Sequence, residues 1–276
     1  MNIQNHAPPL VIDKSFAQAV KGSRLSELSR ERTLLAPRAF HYELLTTDHE
    51  KMFRTLVGLD DFRWVDKEAL LRSERDKGEP CCSAELDRYC VDREVLSPTW
   101  KPSSWEMEMA EQYRKESVDP FVALLEQLVK FPPSGFTSIE LAATSGTEAD
   151  FTSLCEMLQD RERIRIIARE MNFSHADKLD HAWFTFRFIQ AFGLQGLVLR
   201  RRYPGAEPGR SRERLEHDLH DMEYLALGLH VGSLATADVS PKLNKASLGW
   251  RFTLLEPKFQ LVVASDEFGP NPIKHL

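Results

Sequence analysis

The sequence predicts an α/β protein, a parallel sheet flanked by helices and enlarged by a large, mostly α-helical insertion. Two short apolar runs near the start, "PLVID" and "RTLLAP", are each followed by a stretch with helical periodicity. The last third returns to the same alternation, with "RSRERLEHDLHDMEYLALGL" as a helix and "GSLATAD" and "WRFTLLEP" as strands. Between them the chain from 58 to 204 is rich in helical patterns. Strand–helix alternation of this kind builds parallel sheets covered on both faces. The core is therefore expected to be discontinuous, 1–57 and 205–276, with 58–204 inserted.

"PLVID" reads as a buried strand that delivers Asp13 at its C-terminal end, and a helix is expected from Ser15 to about Ser29. Pro37 stops the second strand. "RAFHYELLTTDHEKMFRTLV" then reads as one helix with Phe40, Leu44 and Leu45 on its apolar stripe and Glu43 in its first turns. In the middle region "SSWEMEMAEQYRKE" carries an N-terminal helix signal, and "DPFVALLEQLVKF" places Pro120 at the first helical position after a capping Asp119. "GTEADFTSLCEMLQDRERIRIIAREMN" reads as a further helix with Leu154, Leu158 and Ile164 among its apolar positions. "DHAWFTFRFIQAFGLQGLVL" is apolar around much of its circumference, the mark of a buried helix, and "RYPGAEPGRSR" reads as a loop.

Composition narrows the function classes. The chain has 276 residues and a net charge of -6, with 28% charged residues, 16 Phe and 5 Trp, so a sizeable core is expected and bulk nucleic-acid binding is weakly disfavoured. No apolar run has the roughly 18–20 residues a membrane helix needs, so no membrane partner is expected. "MNIQNHAPPLVIDKSF" lacks the features of a signal peptide, and four cysteines, Cys81, Cys82, Cys90 and Cys155, make no disulfide scaffold; a cytoplasmic location is expected. "CCSAELDRYC" has no paired C-x-x-C partner for zinc, and no G-x-S-x-G supports a serine hydrolase.

The acids carry the chemistry. Asp13 and Asp238 both end apolar strands, which places them on the carboxyl edge of a parallel sheet, where open α/β folds bind ligands. Glu43 follows the second strand closely, and Asp221 lies on the helix that leads into the Asp238 strand. Converging carboxylates repel one another unless a cation neutralises them, and hard oxygen ligands select Mg²⁺ or Mn²⁺. Such ions polarise a phosphodiester and activate water. Each acid also has an ordinary reading: Asp13 as a helix cap, Glu43 as a solvated helix residue, Asp218 and Asp221 as first-turn acids, Asp238 as a turn residue before Pro241.

Taken in order, "LVIDKS", "PRAFHYELL", "DMEYLALGL" and "LATAD" resemble the motifs of the PIN-domain nucleases. The resemblance covers about Leu10 to Leu45 and Leu215 to Leu255. It implies a PIN-like parallel sheet flanked by helices, a metal-dependent endoribonuclease activity, and a catalytic, metal-binding quartet of Asp13, Glu43, Asp221 and Asp238. Asp218, three residues before Asp221, is a further metal-ligand candidate on the same side of the helix. Ser15 and Thr236 would be the neighbouring ligand-orienting hydroxyls. Members of the family often act as toxins or defence effectors or in RNA processing, so a toxin or defence role follows as an expectation. Lys14 departs from the pattern, standing where a small polar residue is usual; it could pair with the acid or touch a phosphate. The interval from Glu43 to Asp221 is far longer than in a compact domain of this type, and the insertion would then determine substrate or partner.

Basic residues Arg200, Arg201, Arg202, Arg210 and Arg212 lie just before the Asp218 helix, where with Lys14 they could hold the phosphates of an RNA strand. His220 is expected as a surface helix histidine. A regulatory or delivery protein and self-association are the further partners to consider. The same acidic site would serve a DNA nuclease, and a catalytically silent PIN-like scaffold that binds a partner through its insertion is the third reading.

Overall fold

The computed structural model describes residues 7–47, 50–91, 102–123, 156–202, 212–238 and 260–264, with Phe252 and Leu255; of residues 83, 84, 91, 196–202 and 212–215 it describes the backbone. The strands are β1 (Leu10–Ile12), β2 (Leu34–Pro37), β3 (Phe62–Val65), β4 (Cys90–Val91), β5 (Ser233–Thr236) and β6 (Gln260–Val263). The helices are α1 (Lys14–Ala19), α2 (Gly22–Glu31), α3 (Arg38–Thr46), α4 (Glu50–Val57), α5 (Lys67–Lys77), α6 (Ser104–Tyr113), α7 (Arg161–Glu170), α8 (Phe184–Arg202) and α9 (Arg212–Val231).

The strands form one sheet in the order β4-β3-β2-β1-β5-β6. All neighbours run parallel except β3 and β4. β1, β2 and β5 are buried along their whole length, as expected of parallel strands covered by helices on both faces. From β1 the chain builds outward through β2 and β3, then returns to lay β5 on the opposite side of β1. The strand order therefore reverses between β1 and β5, and a crevice opens beyond their carboxyl ends. Their register is Val11 opposite Leu234 and Ile12 opposite Ala235.

The α/β architecture with a parallel sheet is as expected, but several boundaries differ. The segment read as a helical insertion, 58–204, supplies β3 and β4 to the same sheet. "FRWV" is too short a run for its period to distinguish strand from helix. The expected helix from Ser15 to Ser29 is two, because Val20 and Lys21 are extended. Phe16 and Leu25 are both buried at 1% exposure, yet nine residues apart in one straight helix they would point about 180° from each other. The break lets both face the core. The expected helix over 38–57 also divides, since the hydroxyls of Thr46 and Thr47 donate back to the Tyr42 and Glu43 carbonyls and Thr47 turns extended.

Asp119 does not start a new helix. The chain stays helical from Ser104 through a π turn at Arg114–Val118 to residue 123. The Asp119 N–H reaches back to the Arg114 carbonyl, and the wider turn accommodates Pro120, which has no N–H to donate. Asp160 caps α7 and so divides the helix read over "GTEADFTSLCEMLQDRERIRIIAREMN"; Leu154 lies outside the described residues, while Leu158 and Ile164 are buried. Phe252 and Leu255, the described residues of "WRFTLLEP", are helical rather than extended and both are buried; the last strand is Gln260–Val263.

α9 lies against β1, β2, β5 and α8. Gly228 allows the approach: a Cβ there would stand 3.2 Å from the Leu234 Cβ and 3.3 Å from Phe252. The turn into β5 uses Gly232 at φ 85, with its N–H on the Gly228 carbonyl, a helix ending that favours glycine. From Asp221 to Val231 the helix rises about 15 Å. From Ser233 to Asp238 the returning chain advances about 17 Å. The turn therefore brings Asp221 back to the level of the carboxyl edge of β5.

A fully buried carboxylate, Glu74 of α5, holds the start of α8. It accepts from Phe184 N (2.7 Å), Thr185 N (2.8 Å), Thr185 Oγ1 (2.7 Å) and Cys81 N (3.0 Å). Glu74→Ala leaves these buried donors without an acceptor and should cost about 3 kcal/mol or more in urea unfolding. A loss under about 1 kcal/mol would show that the carboxylate does not anchor α8.

Candidate functional site at the carboxyl edge

Asp13 sits immediately beyond β1 and is 4% exposed. Its Oδ1 accepts from Phe16 N at 2.7 Å, so it caps α1 as the ordinary reading expected. The remaining bonds are not a cap's. Ser15 Oγ lies 2.9 and 2.8 Å from the two carboxylate oxygens, and Thr236 Oγ1 donates to Oδ2 at 2.7 Å from the end of β5. Ser15 Oγ and Thr236 Oγ1 are themselves 3.2 Å apart.

These hydroxyls also end β5. Ala237 N donates to Ser15 Oγ and Asp238 N to Thr236 Oγ1, each at 2.9 Å. The strand closes at Thr236, two residues before the acid expected to end it, because side chains have taken the N–H groups that would continue the ladder. Asp238 thus lies half-buried on the same edge, joined to Asp13 through Thr236.

Asp66 gives a useful contrast. It also follows a strand, β3, and caps α5 through Glu68 N and Ala69 N, with Arg38 3.4 Å from its second oxygen. Asp66 has a guanidinium partner, whereas hydroxyls and an N–H hold Asp13.

Glu43 enters from α3, which begins directly after β2, and is 6% exposed. Tyr224 of α9 donates to its Oε2 at 2.8 Å. Its Oε1 faces Lys14 Nζ at 3.5 Å, His220 Nδ1 at 3.5 Å and His217 Nδ1 at 3.8 Å. Lys14 thus pairs with Glu43 rather than with its neighbour Asp13. Glu43 is not the solvated residue of its ordinary reading, and His220, expected on the surface, is 3% exposed. α9 is covered on both sides, so His220 packs edge-on against Tyr42 and near Tyr113. Farther along α9, Glu223 is buried against Lys67 of α5 and Tyr113 of α6, which ties these three helices together.

Burial pushes the Asp13 carboxyl up to about 7, against the hydrogen bonds from Thr236, Phe16 and Ser15; the Asp221 charge adds to the rise. Burial alone would also raise Glu43, but His217, His220 and Lys14 hold it well below the usual carboxylate range. His217 is raised in turn, chiefly by Glu43 and further by Asp221. The Tyr224 hydroxyl is pushed well up by burial and by the charges of Glu43, Asp13 and Asp221. Three acids from distant parts of the chain, Asp13, Glu43 and Asp221, therefore share one electrostatic neighbourhood. Asp218 is buried one helical turn from Asp221.

The Arg200, Arg201, Arg202 and Arg212 side chains lie outside the described part, as does all of Arg210. Sequence reading missed the roles of His217, His220 and Tyr224; the signal was "HDLHDMEY", where His217, His220 and Tyr224 recur at three- and four-residue spacing on one helix face.

The two carboxyls predict opposite pH effects. The folded-state value of Asp13 lies above that of the unfolded chain, so its contribution to stability falls as pH rises from about 4 to about 7. Glu43 stabilises above the ordinary carboxylate range, and that contribution is lost on acidification below it. Asp13→Asn should therefore flatten the neutral-side slope of stability against pH, measured by urea unfolding across pH. Equal destabilisation at every pH would mean that Asp13 acts only as a cap. No family model, curated protein or solved structure matches this chain.

Proposed function

We propose that the protein is a metal-dependent phosphodiesterase, an endoribonuclease with a PIN-like core that takes Mg²⁺ or Mn²⁺ at the carboxyl edge. The observation that supports this reading is the electrostatic neighbourhood that Asp13, Glu43 and Asp221 share, beside the reversal of strand order between β1 and β5. The donor set suits a hard divalent ion. Asp13 and Asp221 repel one another, and the nearby ammonium of Lys14 is paired with Glu43. A bound ion would polarise the phosphodiester and lower the pKa of a water.

The chain's own residues supply the rest. Ser15 and Thr236 hold the Asp13 carboxylate in one orientation, and Tyr224 does the same for Glu43. Asp221 and Asp238 are half-buried and reach the solvent side, where a phosphate would approach. Lys14 and the exposed His217 place positive charge beside that approach. Arg200, Arg201, Arg202, Arg210 and Arg212 precede α9 in sequence and would extend the positive path along an RNA strand.

The test is cleavage of fluorescent single-stranded RNA and DNA with Mg²⁺ or Mn²⁺. Asp221→Asn and Asp238→Asn should each reduce RNA cleavage by about a hundredfold or more. Equal cleavage of DNA would move the substrate class. No cleavage by the wild-type protein of either substrate would leave a silent scaffold. For the toxin or defence role, induced expression of the wild type should arrest growth and Asp221→Asn should relieve the arrest.

A further inference from the structure

His217 and His220 lie three residues apart on α9 and share a face. Glu43 opposes them from α3, and one ligand atom from each of the three residues lies within 4.8 Å of the other two. Tyr224 occupies Oε2 of Glu43 and so turns Oε1 toward the imidazoles, the arrangement by which an outer hydrogen bond orients a metal ligand. His220 supplies a second, independent observation. It is 3% exposed, and neither of its ring nitrogens has a hydrogen-bond partner among the described residues. A buried imidazole with both nitrogens unsatisfied is costly, and the Nδ1 of this one stands 3.5 Å from a carboxylate oxygen.

We propose that Glu43, His217 and His220 form a binding site for a first-row transition-metal ion such as Zn²⁺, Co²⁺ or Mn²⁺, separate from the oxygen-lined edge around Asp13. Two imidazole nitrogens with one carboxylate oxygen suit such ions and disfavour Mg²⁺. At metal–ligand distances of about 2.0–2.1 Å, tetrahedral donors stand about 3.3 Å apart. The separations of 3.5 and 3.8 Å from Oε1 to the two Nδ1 atoms lie within a small side-chain rotation of that value. The His217 side chain is 59% exposed, so the site opens to solvent on its side. Three protein ligands leave a further position there for water or a phosphate oxygen. Lys14 Nζ competes for the same Oε1 at 3.5 Å and lowers the affinity for a second cation.

The proposal shares Glu43 with the nuclease reading but does not depend on it. Co²⁺ titration of the full chain reads the site directly through visible absorption bands, with Zn²⁺ as competitor. The wild type should bind one Co²⁺ at this site and lose it to Zn²⁺, while an excess of Mg²⁺ leaves the bands unchanged. His217→Ala removes an exposed side chain, so the fold is kept, and should weaken binding at least about tenfold. Lys14→Met should tighten it, and Asp13→Asn should leave the bands in place. Absence of Co²⁺ bands in the wild type, displacement by Mg²⁺, or wild-type affinity in His217→Ala would each overturn the proposal. Loss of RNA cleavage in Asp13→Asn with intact Co²⁺ bands would support it and separate the two metal sites.

Discussion

The bond from Thr236 to Asp13 joins the ends of β1 and β5, and the rest of the edge depends on it. Ser15 completes the knot: its hydroxyl donates to Asp13 and accepts from Ala237 N just beyond β5. Through these three side chains the start of α1, the end of β1 and the end of β5 are held together at the point where the strand order reverses. The same carboxylate therefore caps a helix, locks two strands and stands in the crevice. A strand-ending acid in a parallel sheet is close both to an orphan N–H and to the edge where α/β folds bind ligands, so one carboxylate can serve both.

Two buried acids of one neighbourhood are driven apart by their partners. Hydroxyls and an N–H surround Asp13, and these do not offset the loss of water, so its proton is held more tightly. Glu43 faces an ammonium and two imidazoles and stays ionised. Environments that separate two carboxyls in this way are a feature of catalytic sites. Asp66, which caps its helix in the same manner but is paired with Arg38, shows the arrangement expected of a strand-ending acid with a structural role alone.

The sequence revealed the strands that carry the edge and missed much of what surrounds them. β1 and β2 were legible because each is an apolar run closed by an acid or a proline. β3 and β4 were not, since Arg63 interrupts the apolar run of β3 and β4 has only two residues. The breaks at Val20–Lys21 and after Thr46 answer to packing of Phe16 and Leu25 and to hydroxyl back-bonds, which local propensity does not reveal. α9 was the hardest. His220 read as a surface residue and Glu223 carried no signal, yet Glu223 meets Lys67 and Tyr113, and His220 meets Glu43. A helix enclosed by a sheet on one side and other helices on the other buries such groups only through partners distant in sequence.

The most direct measurement is a crystal structure of the protein soaked in Mn²⁺, with the ion located by its anomalous scattering. A peak is expected at the carboxyl edge, where Asp13 and Asp221 would hold the ion. An edge without a peak at saturating Mn²⁺, with the Asp13 carboxylate still bonded only to Ser15, Phe16 and Thr236, would contradict it.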